Sequence, residues 1–438
     1  MKMIFIHKGL FLLSTISTLQ CAFGQTEITK WQYGKKGAVS ITYDDGSINQ
    51  FLKALPIMNR LNIPATFFIN TGQIPGSQYH GKFIGRPVKE IIGETATIPT
   101  NKETLFERFS AAGYLGLNST LQYQTKAGAQ IDAGKPEEAY KIIDELYTKV
   151  RNDEFLPENT NKNLTNAAMS ITWDDIRSYA KQGHEFASHM VTHPYMAGLD
   201  ETNMLFELEK SREEILNQLG QKYTFSAEGP YGTENERVME YAHKVYPALR
   251  NRMPESFLEE LNRASRKDPG VSNKEYAQWQ RGATTKTSLP VMKSWIDTTA
   301  SNNNIWLVLV IHGVDGIGWE ALTSESLDEY FKYIKNKDND LWVATFADAT
   351  KYMRERMNST IKSDENRKKI TITLACSLDR PMYDLPLTLK TYVSSTWKNL
   401  QVKQGNESRI VPPKSDARGK YILYQAFPDA GIIEISGI

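Results

Sequence analysis

"SITYDDGS", residues 40–47, closes a run that begins at Ala38 and reads Ala-Val-Ser-Ile-Thr-Tyr. β-Branched and aromatic residues in succession, cut off by Asp44, Asp45 and Gly46, predict a strand that stops at a turn. The two carboxylates then sit together at the carboxyl end of that strand. Side by side they repel one another, so they need either open water or a positive neighbour.

Outward from this strand the chain alternates. Residues 49–61 read as a helix with Phe51, Leu52, Leu55 and Met58 on one stripe, and 65–69 as a short buried strand. Thr172 with Asp175 three residues on predicts a capped helix over Trp173, Ile176 and Tyr179, stopped by Gly183. Residues 184–189 read as a strand. Asp200 opens a longer helix with Leu205, Leu208, Ile215 and Leu219 inward and Gly220 as its stop. Strands are expected at 225–227, 306–311 and 341–346, then a last helix through Met353. This repeated β-then-α order predicts an α/β fold with a parallel sheet, open or closed into a barrel, and working residues at the carboxyl ends of its strands. Asp44 and Asp45 stand at such an end.

Two segments break the rhythm. Residues 72–170 read as a long, polar, irregular insertion with a helical stretch near 136–150. After Ile361 the run Lys-Ser-Asp-Glu-Asn-Arg-Lys-Lys reads as a charged linker. Beyond it the period changes to two, at Ile370, Ile372 and Leu374 and again at Leu385, Leu387 and Leu389. A small antiparallel β domain of the sandwich type is therefore expected over 362–438.

The 438 residues carry a net charge of +1 with acids and bases intermixed, which argues against a nucleic-acid partner. Lys2 and Lys8 flank an apolar stretch that leads to Ala22-Phe23-Gly24, so residues 1–24 read as a signal peptide and 25–361 as the main domain. This predicts export, to the periplasm or the medium. The competing reading has Cys21 acylated as a lipoprotein anchor. No later segment is long and apolar enough to span a membrane. Without the signal, Cys376 is the one remaining thiol, so no internal disulfide is expected.

Histidine is scarce, with seven in all, yet two fall in "SHMVTHP", residues 188–194. Pro194 blocks a helix, so a turn must bring His189 and His193 together. His184, an odd number of residues away, would face the other side of the strand. Two imidazoles plus a carboxylate from a neighbouring strand end would suit a metal, and Asp45 is available. The competing reading leaves both rings packing or hydrogen bonding at the strand end.

At this point the sequence resembles the polysaccharide deacetylases with a NodB homology domain, the family 4 carbohydrate esterases. "SITYDDGS" is similar to their first motif, "SHMVTHP" to the second, "EGPYG" (228–232) to the third and "LVLVIHG", ending at His312 and Gly313, to the last. "TWDDIRSYAKQGHE" before the second motif is similar to family sequences too. Four ordered motifs make the resemblance specific over residues 37–353. It implies a distorted, partly open (β/α) barrel and hydrolytic removal of acetyl groups from an acetylated polysaccharide or oligosaccharide, at nitrogen or oxygen, by metal-activated water. It implies that Asp45, His189 and His193 hold a divalent metal, usually Zn2+, with Co2+ or Ni2+ as substitutes. It implies Asp44 as general base, His312 as general acid, the Tyr231 N–H as an oxyanion donor, and Pro230 with Tyr231 against the substrate.

The match departs from the family in two places. Glu228 stands where the third motif often has an Arg that pairs with the base, and Gly229 replaces a Pro. Either another cation, Arg86 or Arg281, then serves, or the base is tuned differently. The Asp and Trp that orient the acid have no clear counterpart, since Trp295 and Asp297 fall in what reads as a helix, where packing suits Trp295 better. Glu228 feeds a second expectation, a carbohydrate-binding relative that keeps the cleft and has lost turnover. A facial triad for iron is the third, though no His-x-Asp or His-x-Glu occurs to build it.

Overall fold

The computed structural model describes residues 26–157, 171–233, 235–366 and 368–438. The signal-peptide reading of 1–24, Cys21 included, and the end of the insertion lie outside them. The described residues fall into two compact units. One comprises Thr29–Ser359 with Cys376–Thr388; the other comprises Thr360–Ala375, Leu389–Ile438 and the N-terminal strand β1 (Thr26–Ile28).

The larger unit is built on a curled, wholly parallel sheet. Its strands are β2 (Gly37–Tyr43), β3 (Thr66–Ile69), β4 (Glu185–Ser188), β5 (Ser226–Ala227), β6 (Ala248–Leu249), β7 (Leu258–Leu261), β8 (Tyr276–Gly282), β9 (Ile305–Ile311) and β10 (Leu341–Val343). The spatial order is β6-β5-β4-β3-β2-β9-β8-β7. β6 and β7 are the two free edges, so the barrel is open between them. β2 is the most crowded strand. One of its edges pairs along its length with β9, Ala38 opposite Trp306 through Tyr43 opposite Ile311. Its other edge is divided: residues 37–39 pair with β10, and Thr42 and Tyr43 pair with β3. Two strands diverging from one edge distort the barrel. Every residue of β2 and β9 is buried, as expected of strands covered on both faces.

The predicted elements recur with adjustments. The first helix begins as a π-turn, Gln50–Ala54, and continues as Leu55–Leu61. Phe51, Leu55 and Met58 face inward, but Leu52 is exposed. Thr172 and Asp175 form the expected reciprocal cap, and Asp200 caps Glu201–Leu219. The strand expected over 341–346 ends at Val343, because Thr345 turns its hydroxyl to cap the helix Phe346–Met357. Strands β6, β7 and β8 carry no clear two-residue alternation and were not foreseen.

The described part of the insertion is largely helical, where an irregular segment was expected. It holds helices Val88–Glu94, Leu105–Ala112, Thr120–Asp132 and Pro136–Arg151. Their inward faces, among them Ile91, Phe109, Ala127, Ile143, Leu146 and Tyr147, join a core that includes Met190, Tyr195, Met196 and Leu208. Much of that face is Ala and Tyr, and none of these four helices has a side-chain N-cap, so the segment reads as polar.

In the smaller unit, two antiparallel sheets follow the two-residue period. One contains β11 (Ser359–Asn366), β12 (Lys369–Cys376), β14 (Leu400–Gln404), β15 (Glu407–Val411) and β18 (Ile433–Gly437). The other contains β1, β13 (Leu387–Tyr392), β16 (Lys414–Asp416) and β17 (Gly419–Ala426). The first five residues of the charged run expected as a linker, Lys362–Asn366, instead form most of β11, an edge strand. Charge there discourages pairing with another chain.

Candidate active site

The carboxyl ends of β2, β4, β5 and β9 bring the four motifs together. Asp44, Asp45, His189, His193, Tyr231 and His312 line one cavity of about 440 Å³. Pro230, expected against the substrate, is buried and does not line it. Gln50 ties the strand ends: its Nε2 donates to the Asp44 carbonyl at 2.5 Å and to the His312 carbonyl at 2.7 Å.

His189 and His193 meet through a tight turn. Met190 and His193 have φ of 68° and 65°. Buried Glu207, from the helix Glu201–Leu219, accepts the N–H groups of Val191 and Thr192 at 2.8 and 2.9 Å and the Thr192 hydroxyl at 2.6 Å. Asp45 also has positive φ, 73°. Left-handed backbone at non-glycine residues is strained, and here it falls on two of the three candidate ligands. The outcome is a cluster in which the ligand atoms of Asp45, His189 and His193 all lie within 4.8 Å of one another. Asp45 Oδ1 stands 3.2 Å from His193 Nε2 and 3.6 Å from His189 Nε2. His189 Nδ1 donates to the Glu228 carbonyl at 3.0 Å, which leaves Nε2 as the lone-pair nitrogen facing the cluster. Two imidazoles and a carboxylate so disposed fit a divalent cation.

Asp44 has a cation partner, and it is neither Arg86 nor Arg281. Arg86 is taken up by Glu94 and Glu107 in the insertion. Arg281 lies over Trp279 and donates to backbone carbonyls. The partner is Arg250, fully buried at the end of β6. It grips Asp44 with two bonds, Nη1 to Oδ1 at 2.6 Å and Nη2 to Oδ2 at 2.7 Å, and reaches Glu228 Oε1 at 2.9 Å. Gln278 and Gln280 of β8 hold its carbonyl. Burial pushes the Asp44 carboxyl up, but Arg250, His312 and His189 together pull it well below the usual carboxylate range. Burial pushes Glu228 up, against the opposing pull of Arg250. One guanidinium thus serves two buried carboxylates and keeps Asp44 ionised.

His312 Nε2 is 3.5 Å from Asp44 Oδ2. Burial lowers its pKa, and the two aspartates oppose that. Its ring meets the edge of Trp319 at 4.7 Å between centroids. Trp319 sits on a loop closed by Gly313 and Gly318, where a Cβ on either would come within 2.8 Å of the other's backbone. Trp295 and Asp297 lie away from the cavity, Trp295 against the core and Asp297 bonded to Tyr333 and Lys337. Sequence reasoning therefore missed Arg250, Glu207 and Trp319.

Tyr231 has φ of 63° and is braced from the insertion. Its ring stacks on Tyr195 at 5.1 Å and meets His193 edge-on at 4.8 Å. Thr125 and Asp132 of the insertion stand beside Tyr231 and Tyr195. Gly128 lies so close to Tyr195 that a Cβ would stand 2.3 Å from the ring.

Residues 32–115 and 137–266 match the model of the polysaccharide deacetylase family. The chain belongs to that family, whose members use a divalent metal. The helix Thr120–Asp132 falls between the matched segments and His312 beyond them. A gellan lyase of Bacillus sp. is 27% identical over 277 residues, 59% of this chain, which spans only 11% of that protein's length. Among solved structures, the chain is similar to a family 4 carbohydrate esterase from Streptomyces lividans (13% identity, 72% of this chain and 95% of that one, TM-score 0.34). It is similar to a family 4 carbohydrate esterase of Bacillus subtilis (12%, 74% and 83%, 0.33). A family pseudoenzyme from Bacillus anthracis is another (12%, 72% and 65%, 0.33). No helix among the described residues is long and apolar enough to cross a membrane.

Proposed function

We propose that the chain is a metal-dependent hydrolase that removes acetyl groups from a glycan. The observation that carries this reading is Asp44, held from behind by buried Arg250 and facing His312, beside the Asp45–His189–His193 cluster in one cavity. A divalent cation held by Asp45, His189 and His193, with Zn2+ the first choice, would polarise the acetyl carbonyl and lower the pKa of water.

The chain's own groups supply the rest. Asp44, kept ionised by Arg250, accepts the proton of the attacking water. The Tyr231 N–H donates to the oxygen that gains charge as the carbonyl becomes tetrahedral. His312 delivers a proton to the departing nitrogen or oxygen. Trp319, 57% exposed, and Tyr231, 39% exposed, offer apolar ring surface to a sugar. The position of Glu228 had favoured a binding protein without turnover; Arg250 supplies the cation for Asp44 that the catalytic reading lacked. Export through residues 1–24 belongs to the same proposal.

The test is acetate release by the zinc-reconstituted protein from N-acetylglucosamine oligomers and from acetylated xylan, with Asp45→Ala as blank. Release from one substrate and not in the blank supports the reading and separates amide from ester. Zinc bound at one per chain with no release from either overturns hydrolysis of both and favours the binding protein.

A further inference from the structure

Arg263 is the guanidinium that lines the cavity, whereas Arg250 is buried behind Asp44 and Glu228. Arg263 follows β7 at the open side of the barrel, and its side chain is exposed. It lines the same cavity as Asp44, Asp45 and His312, yet makes no hydrogen bond or ion pair with any described residue. It is nonetheless held in place. A Cβ on Gly282, at the end of β8, would touch its Cδ at 3.4 Å, and one on Gly232 would meet its Nη2 at 3.3 Å. Two glycines thus make a track along which the side chain reaches past Tyr231 toward the cavity.

An arginine at a protein surface ordinarily finds an acidic neighbour or lies flat on an aromatic ring. This one is within electrostatic reach of Glu228 but closes no ion pair and lies on no ring among the described residues, and its donors face the cavity where substrate must lie. We propose that Arg263 receives a sugar carboxylate, so that the glycan acted on is acidic, with a uronate or a lactyl ether next to the acetylated residue. The inference rests on the deacetylase reading for the placement of substrate but not for its chemistry. A guanidinium matches a carboxylate with two parallel N–H donors, which a neutral sugar cannot use. Charge balance agrees. The cavity is lined by three carboxylates, Asp44, Asp45 and Glu228, against Arg263 and, buried behind Asp44 and Glu228, Arg250. A divalent cation on the Asp45 cluster turns the sum positive, so an anionic substituent is admitted once the metal is bound.

The test is binding, read by calorimetry on the zinc-loaded protein, with acetate release followed separately. Two matched pairs serve as probes: an acetylated xylo-oligosaccharide with and without a glucuronate branch, and an N-acetylglucosamine oligomer with and without N-acetylmuramate. The wild type should bind the acidic member of one pair about tenfold or more tightly than its neutral partner, the range of a charge-assisted bond. The pair that shows the preference names the carboxylate. Arg263→Gln should bring the ratio close to one, and Arg263→Lys should keep part of it. Equal affinity within both pairs, or a preference untouched in Arg263→Gln, overturns the proposal. Acetate release without any acidic preference sinks this inference and leaves the deacetylase standing. Acidic preference without acetate release from any probe does the reverse.

Discussion

At the scale of the residue, the site turns on how two buried carboxylates share one arginine. Asp44→Asn should keep its zinc and lose activity by about 10²–10⁴, the usual worth of a positioned base; Asp45→Ala should lose both. Metal analysis beside acetate release checks this, and full activity in a clean Asp44→Asn preparation would remove the base assignment. Arg250→Met leaves Asp44 and Glu228 buried without a counter-charge and should cost about 3–5 kcal/mol in chemical denaturation. Adding Glu228→Gln to that variant should return part of the loss. The candidate ligands and the candidate base were legible because each motif ends a strand with residues that have little other reason to be there. Arg250 was not, since it follows a strand of two residues, Ala248–Leu249, too short to show a period. Glu228 read as a defect for the same reason. Its cation comes from the neighbouring strand rather than from its own.

At the scale of the element, the turn after β4 and the helix Thr120–Asp132 decide where the rings stand. Gly128→Ala puts a methyl into the Tyr195 ring and should displace Tyr231. We expect kcat to fall by about tenfold or more with zinc content and helix content unchanged, since small misplacements at a reacting centre are costly. The helix was hard to see in the sequence because its buried face is made of Thr120, Ala127 and Gly128. His184, just ahead of β4, gives a second prediction. Its Nδ1 accepts the Ala65 N–H at 3.2 Å and its Nε2 donates to Asn59 Oδ1 at 2.9 Å, so the neutral ring is already fully used. Burial lowers its pKa to about 4. The unfolded chain binds this proton near pH 6.5 and the folded one does not until about 4, so stability falls as pH drops through that window. The loss should approach about 3 kcal/mol. His184→Gln should flatten the dependence, and a slope unchanged in that variant would assign it elsewhere.

At the scale of the whole molecule, the cluster of Asp45, His189 and His193 joins two strands with a third between them, so metal removal should be felt throughout the larger unit. Chelation should lower the unfolding free energy by about 4 kcal/mol relative to protein held at a thousandfold excess of metal over its dissociation constant. Zinc added back should restore it, and an unfolding midpoint indifferent to chelator would detach the cluster from the fold. The parallel sheet was legible from the β-then-α order, but the divided edge of β2 was not, since nothing local marks a strand that serves three neighbours. That edge has a consequence for how the protein comes into being. β2 lies near the start of the chain, while β9 and β10 are among the last parts of the larger unit to be made. A ribosome adds about 5–20 residues each second, so Asp44 and Asp45 wait on the order of tens of seconds for the strands that complete their surroundings. A nascent fragment ending before Ile305 lacks both β9 and His312, so the chain has its full set of reacting groups only once the greater part of it has been made.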